Sequence, residues 1–277
     1  MHRLAAIASA ILALAASAEI APSGPYTFQL KFTENFNGSE LNPKLWRRIE
    51  GFQGMGADWI KNMSPREDLV EVKGGILTLK GVRNEDTSAD PRRLLTGGIT
   101  TDGLFGMKYG KLEARIRLVA KKGAWPAFWM MPVSSPNGWP YDGEIDILER
   151  LNFDPFVYHT VHSAWTKKSP GDPPSSGKGK IKPDAWNVYA LEWTPDSLVW
   201  KINGRAMHKY RKPLNADHER WPWDAPFYVM LDMQLGGKWV GEVDEDALPA
   251  IMQVDWVKFY QLSQGSKRIS EFSRPNR

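Results

Sequence analysis

The 277-residue sequence predicts an all-β domain, a sandwich or jelly roll. Three observations carry that expectation. Short runs rich in β-branched and aromatic residues recur along the chain. Gly and Pro punctuate them. No segment sustains a period of 3.6 residues, and no internal repeat is visible.

Met1 to Ala18 opens with His2 and Arg3, continues through an apolar run from Leu4 to Ala16, and ends in Ala16-Ser17-Ala18. It reads as a secretory leader, too short for a membrane span. One domain is expected over residues 19–263, with 264–277 as a loose, polar, basic tail. Export implies a secreted, periplasmic or cell-surface protein.

Residues 20–26 read as an extended lead-in and 27–36 as the first strand. A helical turn is expected at 41–46. Residues 69–80 read as a hairpin closed by Gly74-Gly75, and 81–94 as a loop. Further strands are expected at 97–101, 109–118, 126–131, 143–150, 157–164, 186–193, 197–203, 225–233 and 253–261. Within 109–118, Leu112, Ala114, Ile116 and Leu118 share one face, opposite Lys111, Glu113, Arg115 and Arg117. The Pro/Gly/Ser/Lys-rich segment 167–180 reads as a mobile loop.

Composition narrows function. The net charge of +4 comes from 36 basic and 32 acidic residues, with no sustained basic block before the tail, which argues against nucleic acid as a partner. There is no cysteine, so disulfide and thiol chemistry are excluded. Thirteen tryptophans are many for this length, and they are expected to line something.

The most unusual stretch runs from Gly138 to Arg150. Glu144 and Asp146 alternate with Ile145 and Ile147, which is strand periodicity with an acidic face. Regular alternation would turn Glu149 into the core, where an unpaired carboxylate is costly. One extra residue at Ile147-Leu148, a β-bulge, removes the conflict: Leu148 points inward and Glu149 rejoins Glu144 and Asp146. Taken alone, three such carboxyls fit a solvated acidic face, a calcium or magnesium site, or a catalytic cluster. Trp125 and Trp129, four apart on one strand face, Trp139 just before the acidic run, and Trp239 after Gly236-Gly237 suggest apolar platforms around the acids. Sugar rings stack on such platforms, and their hydroxyls bond to polar groups.

Five motifs in order make a specific match. The sequence from Gly143 to Glu149 resembles the signature of glycoside hydrolase family 16, in the bulged form of its laminarinase-like branch. Residues 109–115 with 125–132, Thr160-Val161-His162, Leu235 to Trp239 and Val254 to Tyr260 are similar to the family's other strands. The resemblance covers nearly the whole chain after residue 18. It implies a β-jelly-roll of two curved antiparallel sheets with a concave cleft, and retaining, endo-acting hydrolysis without a catalytic cofactor.

By that resemblance Glu144 is the nucleophile, Glu149 the general acid/base, and Asp146 the residue between them. Ionised Glu144 and Asp146 would raise the pKa of Glu149, as an acid catalyst requires. The expected substrate-binding set is Trp125, Trp129, Trp139, His162, Trp239 and Arg66. A structural calcium on the convex face is a further family feature, with Asp255 at the matching position. A monomer is expected.

The signature defines chemistry rather than substrate. The stretch from Glu149 to Thr166 departs from the laminarinase pattern, where a G-T-I-H-Y-G type strand follows the signature, and looks more like members that cut β-galactosidic bonds within mucin O-glycans. The alternatives are an endo-1,3-β-glucanase and, from a different class, a non-catalytic glycan-binding module. The lysines of 167–180 are candidates to rim the cleft and meet sulfated or sialylated glycans.

Overall fold

The computed structural model describes residues 25–51, 57–171, 173–265 and 267–273. The leader assigned to residues 1–18 lies outside them. In chain order the first strands are β1 (Tyr26–Glu34), β2 (Arg47–Arg48), β3 (Val70–Lys73), β4 (Ile76–Arg83), β5 (Leu94–Thr96), β6 (Gly98–Thr100) and β7 (Gly106–Lys108). Next come β8 (Gly110–Val119), β9 (Ala124–Pro132), β10 (Glu144–Glu149), β11 (Phe156–His162), the short helix α1 (Ala164–Lys168) and β12 (Ser176–Lys180). The last are β13 (Trp186–Thr194), β14 (Ser197–Ile202), β15 (Arg205–Arg211), β16 (Phe227–Leu235), β17 (Ala250–Gln264), β18 (Lys267–Arg268) and β19 (Glu271–Ser273).

Two antiparallel sheets hold these strands, as the sequence predicts. The outer sheet runs β15-β14-β13-β8-β17-β4-β3, with β1 and β18 paired to β17 and β5 to β4. The cleft sheet runs β12-β11-β10-β9-β16-β6-β2, with β7 beside β16 and β19 beside β7. Alternation places the core between them: Leu112, Ala114, Ile116 and Leu118 of β8 are buried, while the charged residues between them face outward. Facing these from the cleft sheet are Phe128, Ile145, Ile147, Leu148 and Phe227. The tryptophans divide between two tasks. Trp46, Trp193, Trp200, Trp221 and Trp223 fill the core, and a second group lines the cleft.

The hairpin at 69–80 forms as expected, with Gly74 and Gly75 both at positive φ. Four segments differ from expectation. Residues 176–180 are not loop but the edge strand β12, paired to β11. Their glycines serve close packing: a Cβ on Gly177 would lie 2.6 Å from His208, and one on Gly179 would lie 2.5 Å from His159 Nε2. Helix α1, unread in the sequence, starts at a capping box in which Ser163 and Thr166 bond each other's backbone N–H. Strand β15 was also missed; it follows the turn Asn203-Gly204.

The tail is the fourth difference. β18 pairs with β17 and β19 with β7. Buried Ser270 donates to the Tyr109 carbonyl and accepts from the Leu262 N–H, so the domain extends through residue 273.

The bulge is present where expected. Against β11 the register passes from Asp146↔Thr160 to Glu149↔Tyr158, and against β9 from Asp146↔Trp129 to Leu148↔Phe128. One extra residue therefore sits in β10, and Ile147 and Leu148 are both fully buried in the core. Truncating Leu148 leaves a cavity on the inner side of the acidic strand. Leu148→Ala is expected to cost about 2–5 kcal/mol, read from urea unfolding. A loss below about 1 kcal/mol would mean that the site collapses freely.

Candidate active site

A cleft of about 1000 Å³ crosses the cleft sheet. Its lining comes from β9 (Trp125, Trp129, Met131), β10 (Glu144, Glu149), β11 (Tyr158, Thr160, His162), β12 (Ser176) and α1 (Lys167). Three connecting segments complete it with Trp139, with Asp58 and Trp59, and with Lys238 and Trp239. The alternation of β11 explains one wall: Tyr158, Thr160 and His162 face the cleft while Val157, His159 and Val161 are buried.

The three carboxyls meet on the floor. Glu149 is 8% exposed and Asp146 is 1% exposed. The two glutamates each take an indole N–H. The indole N–H of Trp125 donates to Glu149 Oε1 at 3.0 Å, and that of Trp139 to Glu144 Oε2 at 2.5 Å. His162 Nε2 lies 3.3 Å from Asp146 Oδ2. The backbone beneath is held as well. Trp223 Nε1 donates to the Glu144 carbonyl at 3.2 Å and Trp200 Nε1 to the Asp146 carbonyl at 2.7 Å.

Aromatic walls flank the acids. Trp125 meets Trp239 edge to face, with ring centroids 5.3 Å apart, and Tyr158 packs 5.1 Å from Trp239. Trp129 lies in the floor, 4 % exposed, with its N–H held by Asp232 at 2.7 Å. Asp232 also takes the Gln234 amide at 2.7 Å. Trp139 and Trp239 stand half exposed at the rim. The Lys167 ammonium sits 4.5 Å over the Trp139 ring, with no carboxylate in ion-pair range among the described residues.

Burial governs the electrostatics. It lifts Glu144 to about 8, the Asp146 charge adds to this, and the His162 and Trp139 contacts oppose it. Burial also raises Asp146, against its hydrogen bond with Glu144 and the Lys167 charge. Glu149 is pushed well above the carboxylate range by burial and then by the charges of Asp146 and Glu144. Asp232 is lifted to about 7 by burial. Burial lowers His162, against the charge of Glu144. Carboxyls packed this closely cannot all ionise near neutrality, so the cluster retains protons. A retained proton on one carboxyl and a charge on another is the pairing that acid and nucleophilic catalysis at one glycosidic bond require.

Most of the expected site residues converge here: Glu144, Asp146, Glu149, Trp125, Trp129, Trp139, His162 and Trp239. Arg66 does not. Its guanidinium binds Asp68 and Asn84 beside the edge strand β3, away from the cleft. Trp59, Tyr158 and Asp232 were missed. Tyr158 was legible, since it shares the period of Thr160 and His162; Asp232 was legible as an acid inside an apolar strand. Trp59 had no local signal.

Metal ions fit poorly. One ligand atom each from Glu144, Asp146 and His162 lies within 4.8 Å of the others. Calcium and magnesium need six or more oxygens, and here one donor is an imidazole and Glu144 already accepts from Trp139. The calcium expected at Asp255 does not fit either. Asp255 Oδ2 lies 2.5 Å from Arg115 Nη1, so the carboxylate is committed to a guanidinium.

A two-sheet jelly roll with carboxyls buried on the floor of an aromatic cleft defines a glycosidase site. The sequence model described as "Glycosyl hydrolases family 16" matches residues 68–258, and the chain belongs to that family. It is thus a retaining, endo-acting glycoside hydrolase by family. A keratan-sulfate endo-1,4-beta-galactosidase of Sphingobacterium multivorum is 32% identical over 238 residues, covering 85% of this chain and 56% of that one. This chain therefore spans just over half of that relative's length. A beta-glucanase of Rhodothermus marinus is 32% identical over 250 residues, covering 84% and 85% of the two chains. Among solved structures, the laminarinase from Rhodothermus marinus superposes with a TM-score of 0.76 at 30% identity, covering 86% of this chain and 99% of that one.

The raised carboxyls make stability depend on pH. Glu144 binds its proton more tightly when folded, at about 8 against an ordinary 4.5. Its contribution to stability is complete below about pH 4.5 and is lost as pH rises through about 8. Glu144→Gln, which mimics the neutral acid, should melt with the wild type at pH 4 and several degrees above it at pH 8. Calorimetry at the two pH values checks this, and an equal gap at both contradicts it.

Proposed function

We propose that this chain cuts internal β-galactosidic bonds of poly-N-acetyllactosamine type, as found in mucin O-glycans, by double displacement. Glu144 attacks the anomeric carbon as the nucleophile. Glu149 gives its proton to the leaving oxygen, then takes one from water as the glycosyl-enzyme is hydrolysed. Asp146 sits between them, and its charge raises both glutamates, which keeps the proton on Glu149. Trp125, Tyr158 and Trp239 form the stacking wall beside Glu149, and Trp139 with His162 forms the one beside Glu144. An exported protein, with residues 1–18 removed, fits an extracellular glycan, and we propose action as a monomer.

The observation that carries the mechanism is the burial of Glu149 beside two further carboxyls, with Trp125 as its neutral partner. The galactosidic substrate is supported by the likeness to the Sphingobacterium endo-beta-galactosidase and by the β11 strand, which presents Tyr158, Thr160 and His162 to the cleft. The exposed Lys167 ammonium over the Trp139 ring suits glycans that bear acidic groups. A β-1,3-glucan remains the second reading, favoured by the likeness to the Rhodothermus beta-glucanase and laminarinase.

Two measurements test these readings. Keratan-type chains, mucin O-glycans and laminarin are incubated side by side, with Glu144→Gln as the inactive control. Internal cleavage of the first two, with retained anomeric configuration, is expected; cleavage of laminarin alone moves the assignment to the glucanase. Asp146→Asn removes a charge that raises both Glu144 and Glu149. Both limbs of its profile of kcat/KM against pH should shift to lower pH, with a lower maximum. A profile fixed in position would refute the role given to Asp146.

A further inference from the structure

The bulge has a dedicated partner. Between Asp146↔Thr160 and Glu149↔Tyr158, two residues of β10, Ile147 and Leu148, face one residue of β11, and that residue is His159. A bulge disrupts the ladder and leaves backbone groups in need of partners. His159 supplies one: its Nδ1 lies 2.7 Å from the Ile147 carbonyl oxygen. The side chain is fully buried, on the face of β11 opposite Tyr158 and Thr160. A carbonyl only accepts, so Nδ1 carries the proton and Nε2 is bare. Nε2 is buried and has no partner among the described residues. Burial lowers this imidazole to about 4, so it stays neutral through the working range.

The ring is wedged in place. Gly179 of β12 backs it so closely that any side chain there would strike Nε2. On the other side it leans on Trp200, with centroids 6.3 Å apart, and Trp200 holds the Asp146 carbonyl. Side-chain N–H groups of Trp223, Trp200 and His159 thus take three carbonyls of β10: those of Glu144, Asp146 and Ile147.

We propose that His159 is a positioning residue for the acid/base: by donating to the Ile147 carbonyl it holds the bulge in phase and keeps Glu149 on the cleft face beside Glu144. Without that bond the extra residue can shift along the strand, and a one-residue slip turns Glu149 towards the core. His159 touches no substrate; it acts through two residues of backbone. This inference rests on Glu149 being the acid/base, which Glu149→Gln tests separately.

The decisive comparison is His159→Phe, a ring of similar size with no donor, against His159→Asn, whose amide N–H falls near the Nδ1 position. For His159→Phe, assayed well below its melting temperature, kcat should fall on the order of 10²-fold, the loss typical of a reacting group displaced by about 1 Å. KM should hold within about twofold, as only positioning is lost. The basic limb of the profile should move, because Glu149 leaves both the burial and the neighbouring charges of Asp146, Glu144 and Asp232 that set it in the cleft. His159→Asn should recover most of kcat and the limb. An unmoved limb with no rescue by Asn, or an unchanged kcat, overturns the proposal. One further measurement needs no variant. Long-range ¹⁵N–¹H correlation should show His159 protonated at Nδ1, and protonation at Nε2 alone overturns the proposal even if the Phe variant fails to fold. Full activity in Glu149→Gln would instead sink the acid/base assignment itself.

Discussion

Everything in the cleft depends on one irregularity of β10. A regular strand can place Glu144 and Asp146 on one face, but it must then turn Glu149 inward. The inserted residue sends both Ile147 and Leu148 into the core and returns Glu149 to the floor. Two apolar anchors in succession make the bulge stable, because either slip exposes one of them and buries a carboxyl. The core and the site therefore impose the same register. The aromatic N–H donors beneath the strand reinforce it, since they satisfy carbonyls that a disrupted ladder leaves short of partners.

That arrangement opposes stability at neutral and alkaline pH. Carboxyls buried together raise one another, and the fold is weakened when they ionise. The protein reduces the conflict with neutral donors rather than salt bridges. Trp139, Trp125 and Trp129 each give an indole N–H to Glu144, Glu149 and Asp232 respectively. Such donors stabilise a carboxylate without neutralising it, so the mutual repulsion that keeps one proton in the cluster persists. The same indoles present apolar faces to the cleft, and a single residue type serves both electrostatics and stacking.

Much of this was legible in the sequence where two local rules collided. Alternation and the cost of burying Glu149 together located the bulge, and the even alternation of β8 located the core face. Other features were hidden because composition has more than one physical cause. The glycines and lysines of 176–180 looked like loop, yet Gly177 and Gly179 let His208 and His159 approach β12. The polar tail looked free, but a single serine, Ser270, ties it between Tyr109 and Leu262. Arg66 carried no local pattern, and the nearby Asp68 claimed it. Asp255 matched a motif, but pairing with Arg115 across two strands cannot be read from either strand alone.

The floor also contains an acid that the signature does not include. Asp232 stands on β16, two strands from β10, and its carboxyl holds Trp129 in orientation. Its charge raises Asp146 and Glu149, while the Lys167 ammonium lowers Asp146 from the opposite wall. The proton balance of the cluster is thus set from both sides of β10, by a buried acid under the aromatic floor and an exposed cation on the rim. Salt screens the exposed term and leaves the buried one nearly intact. Raising ionic strength therefore weakens only the term that favours ionised Asp146, and the cluster holds its protons to higher pH. Substrate filling the cleft acts in the opposite direction on that exposed term, because it displaces water and strengthens the field of Lys167. Binding itself thereby favours charge on Asp146, and that charge holds the proton on Glu149 that the leaving oxygen needs.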